Sequence, residues 1–237
     1  VEGAEYITPL VFMIVLGTVL LNATTARIFA KIVGVFLKNS EGILIVGASK
    51  ISRLIGGYLE KNGRHVVLID SNENNIKKSK EMGLEAFNTN IYSEDLEDNI
   101  ELNDVGYLMA LTANSDINNY AINKFKAQFG ENGSFRLISP YEMQDEESSP
   151  KVGLFSHTDD FVALTEAARK YPVINEINLK SKEHYDELIE RTKQEEFAVP
   201  LFIKQKDGNL EIISSYSKEN QVEKGYKLVY LGKPLSD

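Results

Sequence analysis

Cysteine and tryptophan are absent from the 237 residues, and histidine occurs three times. Without Cys the chain has no disulfide, no thiolate zinc site and no Cys nucleophile. Bases are outnumbered, 26 Lys+Arg against 35 Asp+Glu, for a formal charge of −9. That balance argues against nucleic acid as a partner, because phosphate neutralisation needs a basic surface. His65, His157 and His184 lie far apart in the sequence, and His184 with Glu187 reads as a solvated helix face rather than a metal pair. No Ser-centred elbow, P-loop Lys or carboxylate–His zinc motif is present. Catalysis therefore finds little support, and the expectation is a protein that is not an enzyme. The acid runs Glu94–Glu97 and Glu195–Glu196 read as solvent-facing.

A 43% hydrophobic content excludes disorder, and the length suits one large or two small domains. Mean hydropathy is −0.23, but this average blends unlike parts. Residues 1–40 hold two acids and three bases, net +1, which leaves 33 acids and 23 bases, net −10, for the remainder. Between Tyr6 and Ala26 there is no charge, and ITPLVFMIVLGTVLL is nearly all apolar. Those 21 residues span about 32 Å as a helix, against a hydrocarbon core of roughly 30 Å. Length favours a membrane helix, with acids before it and bases after it placing the remainder in the cytoplasm. A buried core helix is the competing reading, since Thr8, Pro9, Gly17 and Thr18 dilute the run. A signal peptide lacks support, for want of a basic start and a small-residue cleavage site. Tyr6, Phe12 and Phe36 suit interfacial and lipid-facing positions. The chain opens on Val1, with its first Met at Met13, and reads as the tail of a longer protein cut near its last membrane helix.

From Gly42 onward, strands alternate with amphipathic helices. GILIVG is a short apolar run ending in glycine, as a buried parallel strand should be. Ile51, Leu54, Ile55, Tyr58 and Leu59 then mark one helix face, stopped at Gly63. HVVLID, LEAFNTN, VGYLMALTAN and SFRLISP supply further strands, with helices over Asn72–Met82, Ser93–Ile100 and the Ile117–Phe129 stretch between them. Such alternation builds a doubly wound parallel sheet of α/β class. Asp145–Pro150 (DEESSP) reads as a linker. Beyond it, VGLFSH, INEINL, AVPLFIKQ, LEIISS and YKLVYLG read as strands and Phe161–Tyr171 and the segment capped by Ser181 as helices, forming a small α+β module. The expected division is 1–40 for membrane helix and connector, 41–147 for the Rossmann-like domain and 148–237 for the C-terminal module.

The candidate site lies in the first strand–turn–helix. Gly47-Ala-Ser49-Lys-Ile-Ser52 occupies the place of a dinucleotide fingerprint, with serines where the second and third glycines normally stand. Gly47 supplies the tight turn, and the helix start offers free N–H groups and a positive dipole end to phosphate. Asp70 ends the second strand 23 residues on, about where an acid bonds ribose hydroxyls. Asn88–Asn90 and Thr112–Asn114 fall at the ends of the third and fourth strands, where ligands of such sheets sit. They read equally well as turn and cap residues.

TPLVFMIVLGTVLLNATTARIFAKIVGV resembles the last transmembrane helix of a bacterial monovalent cation:proton (Na+/H+) antiporter. ILIVGASKISRLIGGYLEKNGRHVVLIDSN resembles the start of the TrkA-N/RCK-type domain fused to some of them, and GYLMALTANSDINNYAI its fourth strand and following helix. VPLFIKQKDGNLEI and EKGYKLVYLGKP are similar to the small strand module that often accompanies it. The resemblance implies a regulatory domain in the cytoplasm, below the bacterial inner membrane, that binds NAD(H) or an adenine nucleotide, pairs as a homodimer and biases a transport domain upstream. It places Gly47 and Ser49 at phosphates, Asp70 at the ribose, and Thr112 at the crevice wall; Ser49 and Ser52 replace its glycines, and Asn90 stands where a Gly-Asp pair often lies after the third strand. The connector Arg27–Lys38 would pass the signal to the membrane part, and the transport carboxylates would lie in earlier helices. A structural dimerisation domain and a nicotinamide-dependent oxidoreductase remain the alternative readings.

Overall fold

A computed structural model of the chain describes residues 6–33, 41–94, 96, 100, 102, 104–130, 133–143, 153–155, 160–195, 197–214 and 222–235. The linker Asp145–Pro150, half of the Ser93–Ile100 segment, His157, Glu196, Phe36, Lys38 and the side chains of Arg27 and Lys31 lie outside that description. The chain divides into two units, Val1–Asn39 and Ser40–Asp237.

The first unit contains one helix, α1 (Ile7–Val33). Its segment Ile7–Ala26 has a mean hydropathy of 2.0 and is not buried within the unit, so its length and composition suffice to cross a membrane. Hydroxyls in the run are not left bare. Thr18 donates to the Val15 carbonyl, Thr24 to that of Leu20 and Thr25 to that of Leu21, which keeps polar side chains inside the helix's own ladder.

The second unit opens with β1 (Gly42–Val46), α2 (Lys50–Lys61), β2 (Val66–Asp70), α3 (Glu73–Glu81) and β3 (Glu85–Asn88). It continues through β4 (Val105–Ala110), α4 (Ser115–Lys124), α5 (Lys126–Phe129), β5 (Ser134–Leu137), α6 (Pro140–Met143) and β6 (Gly153–Leu154). All six strands are parallel, in the order β3-β2-β1-β4-β5-β6. A parallel sheet buried on both faces needs strands apolar throughout, and β1 meets that requirement. Ile43 and Ile45 enter one core with Leu59 and Leu68, while Leu44 and Val46 enter the other with Val67 and Phe125.

Two expectations shift here. The stretch expected as one helix through Phe129 is two, broken at Phe125, whose backbone N–H donates to the Ala121 carbonyl at the end of α4 and whose ring is buried. The sheet has a sixth strand, Gly153–Leu154, which pairs with β5 and lies past residue 147. It is the strand expected within VGLFSH, joined to the parallel sheet rather than to the C-terminal module.

The rest of the unit comprises α7 (Phe161–Lys170), β7 (Ile174–Asn178), α8 (Lys182–Gln194), β8 (Ala198–Lys204), β9 (Leu210–Ile212) and β10 (Lys227–Gly232). These strands form an antiparallel sheet, β7-β10-β8-β9, with Lys206–Asn209 as the β8–β9 turn. Ser181 caps α8 by accepting from the His184 amide. The two sheets share one core, in which Val199, Phe202 and Val229 sit with Ile55, Leu68 and Leu164. Arg64, buried beside β2, reinforces the join by donating to Asn209 Oδ1 and the Leu210 carbonyl, both at 2.8 Å.

Candidate functional site

The strand order reverses between β1 and β4, and there the chain splits to form a cleft of about 240 Å³. This is the switch point at which open parallel sheets hold ligands. Of the six residues singled out from the sequence, Gly47, Ser49, Asp70, Asn90 and Thr112 line the cleft. Ser52 does not. It is fully buried in α2, its hydroxyl 3.1 Å from that of Ser49. A side chain at that position packs between helix and sheet, and Ser49 satisfies the polarity it brings.

Gly47 is required by backbone geometry. Its φ is +96°, and a Cβ would stand 3.0 Å from Thr112 Cγ2 and 3.1 Å from the Leu111 carbonyl oxygen. Ser49 caps α2 by accepting from the Ser52 amide at 3.4 Å. The peptide between them is gripped from both sides. The Ala48 amide donates to Asp70 Oδ2 at 2.8 Å, and the Ala48 carbonyl accepts from Arg53 Nη1 at 2.5 Å.

Asp70 takes two further donors, the Asn72 amide at 2.8 Å on Oδ1 and Asn75 Nδ2 at 2.9 Å on Oδ2. The carboxylate expected to receive a ribose thus also ties the glycine turn to the start of α3. Thr112 shows the same economy. Its hydroxyl donates to Asn118 Oδ1 at 2.7 Å, its amide donates to the same oxygen, and its methyl is the part that faces Gly47. Asn114 caps α4 through the Asp116 and Ile117 amides, and Asn90 Oδ1 accepts from the Tyr92 amide at 3.0 Å. Both are turn or cap residues, and Asn90 lines the cleft as well.

Four residues beyond the sequence reading matter. Arg53 is 8% exposed, and burial lowers its pKa while Asp70 pulls it back up, so a cation lies behind the turn. A signal existed, since a base one turn into a helix opposes the dipole and needs a partner. Asn75 carried none. Lys124 Nζ donates to the Ile91 and Ser93 carbonyls at 3.0 and 2.5 Å, fixing the loop that supplies one wall. Phe161 reaches the cleft from α7, beyond the parallel sheet.

Among the described residues the lining contains one carboxylate, Asp70, and no Lys or Arg; its remaining polar side chains are hydroxyls and amides. Such a surface offers hydrogen bonds and the positive end of the α2 dipole to a ligand. Among the described residues no cluster of His, Asp and Glu is arranged to hold a metal ion.

Fold and cleft together define a Rossmann-like domain built on the plan of nucleotide-binding sheets. Residues 43–145 match the TrkA-N domain family. Among solved structures the chain is similar to the NAD(P)-binding domain of an exopolyphosphatase-related protein from Archaeoglobus fulgidus, at 13% identity over 46% of this chain and 83% of that one, with a TM-score of 0.37. It is also similar to the GsuK RCK domain, at 12% identity over 82% of this chain and 44% of that one, TM-score 0.42. A GsuK channel bound to NAD gives 12% identity over 81% and 37%, TM-score 0.38. The chain spans less than half the length of both GsuK chains. No curated protein matches it.

Proposed function

We propose that Ser40–Asp237 is a nucleotide-sensing regulatory domain, without catalytic activity, of a monovalent cation:proton antiporter. In this reading Ile7–Ala26 is that antiporter's final helix in a bacterial inner membrane, with the domain in the cytoplasm, working as a homodimer on a transport domain encoded upstream. The observation that carries the nucleotide part is the Gly47 turn at the switch point, held at Ala48 between Asp70 and Arg53 and opening onto the start of α2. Backbone N–H groups and the dipole there suit phosphate, and the β2–β3 side offers Asp70, Asn75 and Thr89 to a sugar. The antiporter part is supported by the TrkA-N match directly following an apolar helix long enough to span a bilayer.

Occupancy can bias transport only through different affinities for two arrangements. The physical route is α2 itself. Its N-cap Ser49 lines the cleft, and Tyr58 in its last turns donates to Glu176 of the antiparallel sheet at 2.8 Å. Calorimetry of the full chain in detergent with ATP, ADP, AMP, NAD and NADH tests the reading. Heat with at least one, abolished by filling the cleft with Ala113→Trp in a variant that melts normally, is expected. Absence of heat with all five overturns it.

One observation favours a purely structural reading. Asp70 already holds three protein donors, so its presence needs no ligand to explain it. Calorimetry separates the two readings, whereas Asp70→Ala does not, because both predict damage to the turn.

A further inference from the structure

The chemistry of the cleft wall narrows the class of ligand, granted the nucleotide reading above. We propose that the cleft takes a single nucleoside phosphate, and that the Phe161 ring closes the side on which the second half of a dinucleotide would lie. A dinucleotide crosses the switch point, one nucleotide over each half of the sheet. Here the polar lining gathers on one half. Asp70, Ser71 and Asn75 follow β2, Thr89 and Asn90 follow β3, and Gly47 marks the boundary.

Across that boundary the wall changes character. The end of β4 contributes Leu111, Ala113 and the Thr112 side chain, whose hydroxyl is already committed to Asn118. Among the described residues the ends of β5 and β6 contribute nothing to the lining. Phe161, the first residue of α7, the helix that follows β6 in the sequence, joins the lining instead. A phenyl ring offers no hydrogen bond to a second ribose or to an amide-bearing ring.

Phe161 is built in rather than draped over the site. It packs against the core that joins the two sheets. Asp160 caps α7 immediately before it, accepting from the Ala163 amide at 2.8 Å, and Leu164 and Ala168 anchor the same helix in that core. At about 240 Å³ the cleft also falls below the ~300–1,000 Å³ usual for ligand pockets, which suits one nucleotide better than two. The wall and the antiparallel sheet share this core, so the C-terminal module sets ligand size.

The test is calorimetry of the full chain in detergent with AMP, ADP and NAD, on the parent and on Phe161→Ala. AMP or ADP is expected to bind at least tenfold tighter than NAD, with that preference reduced several-fold in the variant. Phe161→Leu, which keeps an apolar core contact but removes the ring, serves if the alanine variant fails to fold. NAD binding as tightly as AMP and ADP overturns the proposal and leaves the nucleotide reading intact. A preference unchanged in a folded Phe161 variant removes the ring's role and overturns it equally. No heat from any of the three in the parent overturns the reading on which it rests.

Discussion

Asp70 and Glu176 each collect three hydrogen-bond donors, yet the two clusters differ in kind. Asp70 is held by neutral groups, the Ala48 and Asn72 amides and the Asn75 side chain. Glu176 is held by charge, with Lys204 Nζ at 3.0 Å, Lys227 Nζ at 2.7 Å and the Tyr58 hydroxyl at 2.8 Å. Burial pushes the Glu176 pKa up, but the bonds from Lys227, Tyr58 and Lys204 outweigh it and bring the group down to about 2. Neutral donors fix the Asp70 side chain beside the glycine turn, with Arg53 behind it, and leave it lining the cleft. Paired cations neutralise Glu176, so its cluster fastens β7 to β8, β10 and α2. One helix carries a contact to each cluster, and that makes the comparison testable.

Breaking the neutral cluster should have the larger effect. Asp70→Ala removes the acceptor of three donors, one of them the amide of fully buried Ala48. Orphaned buried donors cost about 1–3 kcal/mol each, and water can reach the more exposed Asn72 amide. A loss of about 3 kcal/mol is expected from urea unfolding of the full chain, together with loss of nucleotide binding. Stability within about 0.5 kcal/mol of the parent would show that the turn holds its shape without the carboxylate.

Glu176→Gln should come next, at about 1–2 kcal/mol, since charge-assisted bonds weaken but both lysines can turn to solvent. Here nucleotide affinity should fall less than twofold. A large fall in affinity would mean that α2 transmits strain between the clusters even in the resting protein.

Much of the fold was legible because buried parallel strands and amphipathic helices leave period and run length in the sequence, as GILIVG and Ile51–Leu59 do. VGLFSH was legible as a strand, but its pairing with β5 was not, since that depends on which strand edge the fold brings near it, and the helix break at Phe125 interrupts a face whose apolar residues remain in phase. Within the site, Gly47 and Asp70 were legible because strand ends and turns constrain residue type locally. Arg53, Asn75, Lys124 and Phe161 were not assigned. Their roles depend on which backbone groups the fold brings near them, and Phe161 arrives from more than 100 residues after the turn it faces. Ser52 occupied the right place in the motif but turned inward, because its position in α2 faces the sheet.

The acid limb of stability sharpens the contrast further. A carboxylate whose folded pKa is depressed contributes stability above its unfolded pKa and loses it as pH falls through the folded value. For Glu176 that window runs from about 4.5 down to about 2. Glu142 behaves alike, held down to about 2 by Arg136, with Ser139 adding bonds against the upward push of burial. The parent should lose stability steadily between those pH values. Glu176→Gln should remove part of that slope, with the Glu142 share remaining. An unchanged slope would show that the lysines around Glu176 are solvated rather than paired.

The smallest expected effect lies at the opposite end of the parallel sheet, and it has the reverse sign. His65 stands between Asp104, 2.9 Å from Nδ1, and Glu85, 2.9 Å from Nε2. A neutral imidazole can donate to only one of them, while imidazolium serves both. Burial pushes the His65 pKa down, but the bonds to Glu85 and Asp104 and their charges carry it above 6.5. The stability it lends is therefore full below pH 6.5 and fades as pH rises through the higher folded value. The flanking backbone gives the effect a direction, because the Gly42 amide bonds to the Asp104 carbonyl and the Ile43 amide to that of His65. Charge on His65 thus steadies the strand starts where β1 enters the sheet. With side chains 32–59% exposed, solvent screens the pairs, and a change well under 1 kcal/mol is expected. In His65→Gln the urea midpoint should lie below the parent's at pH 6, and the gap should close toward pH 9. A gap that widens with pH would mean that the imidazole stands neutral between the two carboxylates.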